Sequence, residues 1–481
     1  MVRNKKKSIV LPDVLVEDYA AEGKSLARVD GKVVFIESAV PGDVVDIQLS
    51  KNKKDWAEGR AIRIKQPSAD RVDPFCEHFG ICGGCQWQML PYTKQLQYKQ
   101  KQVTDNLQRI GKVPLPEIMP IAGCEETRYY RNKLEYTFST KRFIPQQEFQ
   151  ELRRIQEESG QGFEHTEKAG VAGFHAKGMF DKLVEINTCH LQHEPTNQIR
   201  NAIAAYARQK KWSFYDIRMH EGWLRTMQVR LATTGELMIN IVFGYEDKKQ
   251  RTELLDYLLQ QFPQITSLLY TINTKKNDSL FDLEPQVYHG KGFIIETLEE
   301  FQFKISPKSF FQTNSRQAEQ LYRITRDFAG LDGTQTVYDL YCGTGSIGIF
   351  VSKLAKQIIG VEVIAEAIED AKENAALNGL QHASFYAGDV IDICDDAFFA
   401  AHGRPDVIIT DPPRAGMHEK LVSKLLDIAA PVIVYVSCNP ATQARDLNLL
   451  SEKYSVEKIQ PVDMFPHTLH IENVVQLKLK G

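Results

Sequence analysis

The 481-residue chain has no run approaching the ~20 consecutive apolar residues that a membrane-spanning helix requires, so no membrane partner is expected. The basic start, Met1 to Lys7, lacks the apolar stretch of a secretory leader, and the expected location is the cytoplasm. Cysteine is scarce: eight in so long a chain cannot make a disulfide framework, and in a reducing compartment any that cluster read as metal ligands or catalytic groups. Excess charge of one sign is missing too. A formal net charge of -3 excludes a protein that coats nucleic acid through bulk charge, because nonspecific affinity comes from phosphate neutralisation. Internal repeats are absent. What remains, 43% hydrophobic and 25% charged, is an ordinary globular composition, long enough for about three domains.

From Val14 to Ile64 apolar and polar residues alternate in short runs, such as Lys32-Val33-Val34-Phe35-Ile36, punctuated by Gly31 and Pro41-Gly42. Five short strands in this span predict a small barrel of the oligonucleotide-binding type. Residues 1 to 66 carry 13 Lys+Arg against 10 Asp+Glu, with Lys51, Lys53, Lys54, Arg60, Arg63 and Lys65 close together, a local basic face on an otherwise balanced chain. A cysteine-rich knot follows, Cys76 to Cys85, then a polar helical stretch from Tyr92 to Ile110 ended by Gly111. Residues from about 128 to 305 mix strand and helix patterns. Within them Pro145 to Glu167 is polar and rich in Glu and Gln, and reads as a mobile surface excursion. From Thr336 on, buried-strand runs (Thr336 to Leu340, Gln357 to Val361, Val407 to Thr410, Val432 to Val436) alternate with helical segments such as Ala365 to Leu377. That order predicts a doubly wound, Rossmann-like α/β sheet.

Gly343-Thr344-Gly345-Ser346-Ile347-Gly348 follows the first of these strands and opens a helix, matching the GxGxxG nucleotide fingerprint. Glu362, 19 residues beyond Gly343 at the end of the next strand, is placed to accept from ribose hydroxyls. A nicotinamide-dependent dehydrogenase would look the same so far. The readings part further along, where Asp389 follows the third strand, suited to an adenine amino group, and the fourth strand ends in Asp411-Pro412-Pro413-Arg414. That rigid turn aims a carboxylate or its own carbonyl into the crevice at the sheet's carboxyl edge.

With Phe310-Phe311-Gln312-Thr313-Asn314, Tyr435-Val436-Ser437-Cys438-Asn439-Pro440 and His470-Ile471-Glu472 in the same order, the C-terminal region resembles the RNA uracil-5-methyltransferase family. The resemblance implies S-adenosyl-L-methionine as methyl donor, with Gln312, Tyr341, Glu362 and Asp411 contacting it beside the Gly343 and Gly345 turn. Asp389 is added from strand order. Uracil C5 is a poor nucleophile, so methylating it requires a thiolate that adds to C6 and a base that later removes the C5 proton. Cys438, in a tight turn directly after a strand, fits the nucleophile, although most free cysteines are small buried hydrophobes. Glu472 matches the family's proposed base; His467 and His470 are expected to stay out of the proton transfer. Base-amino methyltransferases carry an aromatic where this chain has Arg414, and RNA cytosine-5 enzymes carry a cysteine near Pro413 that is missing here.

Cys76-x5-Cys82-x2-Cys85 with a distant fourth ligand suits either tetrahedral zinc or a [4Fe-4S] cluster. The stretch Cys76 to Gln88 resembles the iron-sulfur motif of the family's ribosomal branch, which implies a [4Fe-4S] cluster on Cys76, Cys82, Cys85 and Cys189. Cys124, Cys342 and Cys394 are expected to be structural. Glu22 to Lys32 through Ala39 to Asp43 resembles the TRAM domain, an RNA-binding module, departing from its usual pattern at Ser25. Phe35 and Trp56 are candidates for base stacking, with core packing the plainer role.

The implied organisation is a TRAM barrel at 8–66, a central iron-sulfur and RNA-binding domain at 67–93 and 126–305, and a methyltransferase domain at 94–125 and 306–481. The expected substrate is a flipped uridine of 23S ribosomal RNA, with transfer RNA the alternative, modified by a monomer. A catalytically silent RNA-binding or assembly protein is the reading from a different class.

Overall fold

The computed structural model describes residues 9–20, 23–159 and 170–481. The basic start, Glu22 and the second part of the Pro145 to Glu167 stretch lie outside the described residues. The first part of that stretch is a helix, Gln146–Ser159, where a mobile excursion was expected. Glu, Gln and Arg are good helix formers, and Arg153···Glu157 and Arg154···Glu158 pair one turn apart, so polarity here reflects solvent exposure and not absence of structure. Among the described residues no helix is long and apolar enough to cross a membrane.

The N-terminal module has six strands instead of five: β1 (Val10–Leu15), β2 (Asp18–Tyr19), β3 (Ser25–Val29), β4 (Lys32–Glu37), β5 (Val44–Asn52) and β6 (Trp56–Gln66), in the order β1-β5-β6-β4-β3-β2. The extra strand is the two-residue β2, too short to leave a periodic signal. Inward residues such as Val34, Ile36, Val45 and Ile47 form a small separate core. Gly59 lets β5 and β6 close on each other, since a Cβ there would lie 2.5 Å from Ile47 Cγ2 and 2.7 Å from the Gln48 carbonyl. Phe35 and Trp56 stand half-buried on the outer face, edge to face at 6.4 Å, and not in that core.

The central sheet runs β13-β12-β11-β10-β7-β8-β9, with β7 (Lys133–Ser139), β8 (Val171–His175), β9 (Leu183–Glu185), β10 (Leu224–Leu231), β11 (Leu237–Phe243), β12 (Ser267–Ile272) and β13 (Gln286–Gly290). Every residue of β11 is buried, because one face packs on the helices Thr196–Gln209 and Lys248–Gln261 while Met238 and Leu269 on the other join the C-terminal core. The hairpin β14 (Ile294–Leu298) and β15 (Phe301–Ile305), read from sequence with the central segment, buries Ile294, Leu298, Phe301, Phe303 and Ile305 in that same C-terminal core.

The third sheet is β18-β17-β16-β19-β20-β22-β21, with β16 (Thr336–Leu340), β17 (Gln357–Glu362), β18 (Ala383–Ala387), β19 (Val407–Thr410), β20 (Val432–Ser437), β21 (Tyr454–Val462) and β22 (Glu472–Leu479). β16 to β20 are parallel and their order reverses beside β16, which opens a crevice at their carboxyl ends. This is the doubly wound, Rossmann-like sheet expected from the strand pattern. β22 runs antiparallel between β20 and β21, so its first residue lies at the crevice edge. The helix Tyr92–Asn106 packs Val103 against this sheet's core, and residues 118–122 pair alongside β21, with the Ala122 N–H donating to Pro461 O at 2.9 Å.

Candidate active site

After β16 the chain turns through three left-handed residues, Tyr341 (φ 60°), Gly343 (φ 53°) and Gly345 (φ 76°), before the helix Ser346–Val351. A Cβ on Gly345 would also meet the Phe385 ring at 2.9 Å, so both its φ and its contacts call for glycine. Glu362, closing β17, holds this turn: its carboxylate accepts from the Gly343 N–H at 3.3 Å and from the Ile364 N–H at 3.0 Å. Asp411 begins where β19 ends, its N–H donating to Leu340 O at 3.4 Å. Asp389, just past β18, is exposed and caps the next short turn through the Ile391 N–H at 2.9 Å. Tyr341 feels both Asp389 and Glu362, whose charges add to burial in raising its hydroxyl pKa. Gln312 reaches the same edge by a different route. Its carbonyl accepts from Asn132 Nδ2 at 2.8 Å, and the preceding Phe310 carbonyl accepts from Thr344 Oγ1 at 3.4 Å, laying this segment beside the glycine turn.

Cys438 follows β20 directly. The register Ser437↔Asn473 places Glu472, the first residue of β22, beside it, although 34 positions separate the two in sequence. The turn is braced by Asn439, whose Nδ2 donates to Arg414 O at 3.1 Å and whose Oδ1 accepts from the Ala441 N–H at 3.1 Å. Behind it Gln443 Nε2 donates to Tyr435 O at 3.0 Å and Asn473 O at 3.1 Å, locking the two strands together.

The crevice gathers four carboxylates, Asp339, Glu362, Asp411 and Glu472. Burial pushes Asp411 up to about 7, and burial with the charges of Asp411 and Glu362 pushes Asp339 up to about 7. Glu472 rises well above the usual carboxylate range through burial and Asp411, against the pull of Arg414. The Cys438 thiol is pushed up to about 11 by burial, Glu472 and Asp411, again opposed by Arg414. Such a concentration of negative charge in a partly dry crevice draws a cationic ligand.

Sequence reasoning passed over three apolar side chains on the rim: Phe310 (70% exposed), Val363 (64%) and Ile364 (41%). Their signal was their place, directly beside Gln312 and Glu362. Asp339, inside the strand, was also passed over; its Oδ2 accepts from the Gly348 N–H at 2.8 Å while its Oδ1 is buried without a partner.

Away from this crevice, Cys76, Cys82, Cys85 and Cys189 border one largely apolar cavity of about 220 Å³, together with His78, Phe79 and Phe174. All four are free thiols. Among the described residues no three His, Cys, Asp or Glu side chains converge closely enough to hold a single metal ion. Cys124 is tied elsewhere, its Sγ 3.0 Å from Asp463 O, and Cys342 and Cys394 are buried in the core.

Three family models match: a TRAM domain over residues 12–62, a methyltransferase small domain over 327–434, and a tRNA (uracil-5-)-methyltransferase model over 400–480. An uncharacterized RNA methyltransferase of Bacteroides thetaiotaomicron is 51% identical over 464 residues, covering 96% of this chain and 100% of the relative. One from Porphyromonas gingivalis is 52% identical over 466 residues, covering 96% and 98%. Among solved structures, the Pyrococcus abyssi tRNA (uracil-54, C5)-methyltransferase in complex with S-adenosyl-L-homocysteine aligns over 97% of this chain and 100% of its own, with a TM-score of 0.73 and 27% identity. The chain belongs to the uracil-5-methyltransferase family of S-adenosylmethionine-dependent RNA methyltransferases that carry an N-terminal TRAM domain.

Proposed function

We propose that this enzyme methylates C5 of a specific uridine in 23S ribosomal RNA through a covalent bond between Cys438 Sγ and C6 of the base. The observation that carries the reading is the register Ser437↔Asn473 between β20 and β22, which leaves Cys438 and Glu472 as neighbours at the mouth of the acidic crevice, close enough for the Glu472 charge to act on the thiol. As thiolate, Sγ adds to C6 and pushes the C5=C6 electron pair into an enolate. C5 then attacks the sulfonium methyl, and the S–CH3 bond breaks to leave S-adenosylhomocysteine. Glu472 removes the C5 proton, C5=C6 re-forms, and the Cys438 sulfur leaves. A carboxylate whose pKa is raised by burial is the stronger base for that step.

In this reading Gln312, Tyr341, Gly343, Gly345, Glu362, Asp389 and Asp411 hold the methyl donor. Glu362 takes the ribose hydroxyls, with Val363 and Ile364 against the adenine face. The carboxylates around Asp411 favour the donor's positive sulfonium over the neutral product. The target base must leave its stack to reach Cys438, which favours loops and bulges, and the TRAM barrel supplies a second RNA contact.

Cys76, Cys82, Cys85 and Cys189 are assigned to a [4Fe-4S] cluster. All four thiols line the same cavity, which supports grouping them on one centre, and the preference for iron-sulfur over zinc rests on the resemblance of the Cys76 to Gln88 stretch. Methyl transfer to uracil involves no net redox change, so the group would serve as a clip between the 76–85 loop and the central domain. The enzyme is taken to act as a cytoplasmic monomer, where its thiols stay reduced.

A second reading keeps the chemistry and moves it to a transfer RNA uridine; it is favoured by the similarity to the Pyrococcus abyssi enzyme, a tRNA (uracil-54, C5)-methyltransferase. Tritiated S-adenosylmethionine with total RNA from a strain lacking the enzyme, alongside Cys438→Ala, separates the two. Label as 5-methyluridine in 23S RNA that the variant fails to produce supports the first reading. Label confined to transfer RNA supports the second, and no label in any RNA refutes both.

A further inference from the structure

Glu472 is reached through the loop 463–471, and that loop is held from outside its own sheet. The chain bearing Cys85 clamps it first: the N–H groups of Gln86 and Trp87 both donate to His467 O, at 2.8 and 3.0 Å. A single fully buried side chain, Gln95, then ties the two segments together. Its Oε1 accepts from the His467 N–H at 2.8 Å, and its Nε2 lies 3.0 Å from His467 Nδ1. The same Nε2 donates to Trp87 O at 3.0 Å and Leu90 O at 2.9 Å. One helical turn on, buried Lys99 pairs with Asp463 at 2.6 Å, anchoring the other end of the loop to the same helix.

His467 sits at φ 64°, a left-handed conformation that a non-glycine residue holds only when its surroundings impose it. The imposing contacts are those of Gln95, Gln86 and Trp87, and five residues later the chain delivers Glu472 beside Cys438.

We infer that Gln95 is a positioning residue for the base: by bridging the segment that follows Cys85 to His467, it sets where the loop ends and so where the Glu472 carboxylate stands. The inference rests on Glu472 acting as the base. Because addition and methyl transfer precede removal of the C5 proton, a displaced base should stall the enzyme as a methylated protein–RNA adduct held through Cys438.

The test compares Gln95→Met, which keeps length and removes every hydrogen bond, with Glu472→Gln and the unaltered protein. Each is mixed with S-adenosylmethionine and substrate RNA and resolved on a denaturing gel. Gln95→Met is expected to slow turnover at least tenfold and to raise the adduct fraction toward that of Glu472→Gln, with methyl-donor affinity within twofold of the unaltered protein. Adduct in Glu472→Gln but none in Gln95→Met overturns the positioning role alone. No adduct in Glu472→Gln overturns the base assignment and the inference with it. Should Gln95→Met not fold, Gln95→Asn keeps the amide but shortens it by one methylene, so that it no longer spans from the Trp87 and Leu90 carbonyls to His467, and is expected to accumulate adduct. Normal turnover by Gln95→Asn overturns the inference.

Discussion

Acidification should weaken S-adenosylmethionine binding far more than S-adenosylhomocysteine binding. The two ligands share every group except the sulfonium charge, so their difference reports the crevice carboxylates. Asp411 and Asp339, both pushed up to about 7, gain protons as pH falls through neutrality, and the buried Glu472 next to Asp411 moves the same way. The Cys438 thiol, pushed up to about 11, and His467, pushed down to about 4, lie outside this range. Protonation of a raised carboxylate removes the negative charge that attracts the cation, so affinity rises with pH and binding expels a proton. For one group at about 7 the ionised fraction falls roughly tenfold between about pH 8 and about pH 6, equal to ~1.4 kcal/mol of binding free energy. Calorimetry in buffers of differing ionisation enthalpy would measure both the affinity ratio and the proton count. Asp411→Asn should flatten the ratio. Parallel pH profiles for the two ligands, or tighter S-adenosylmethionine binding at the lower pH, would refute the electrostatic account of the crevice.

Three further outcomes are expected. Lys99→Met leaves the buried Asp463 carboxylate without its cation and should cost about 3–5 kcal/mol in urea unfolding, part of it recovered in the double variant with Asp463→Leu. Cys82→Ser should lower melting temperature and RNA affinity, while a single round of methyl transfer at saturating RNA, which precedes the base-dependent step, keeps its rate. Gly345→Ala must hold an L residue at φ 76° against the Phe385 ring, which should cost about 1–2 kcal/mol of stability and weaken methyl-donor binding in titration.

What the sequence could reveal about the crevice was its local half. The glycine turn, the Asp411-Pro412-Pro413 corner and Cys438 each lie within a few residues of a strand end, so the run of apolar residues before them already places them on the carboxyl edge. The meeting of Cys438 and Glu472 is not of that kind, because it depends on β22 entering between β20 and β21 and on the register Ser437↔Asn473, which no local pattern encodes. The hairpin at 294–305 shows the same limit: its alternating apolar face is plain in the sequence, but which core receives that face is decided by packing.

The helix Tyr92–Asn106 shows why polar composition misleads at the site itself. Its Gln95 and Lys99 look like a solvated face, yet both are fully buried, because their partners His467 and Asp463 arrive from more than 360 residues away. A buried lysine is tolerable only with such a partner, and a partner so distant in sequence leaves no periodicity to read. Those polar pairs also carry consequences that an apolar contact would not. Hydrogen bonds fix direction as well as distance, so a helix that meets the 463–471 loop through Gln95 and Lys99 constrains the orientation of the chain that leads to Glu472. The same helix borders the TRAM barrel through Lys101 and Asp18, paired at 3.1 Å. The proposed nucleophile, just past β20, and the proposed base, at the start of β22, thus depend on a helix outside their own sheet, and that helix also touches the N-terminal barrel.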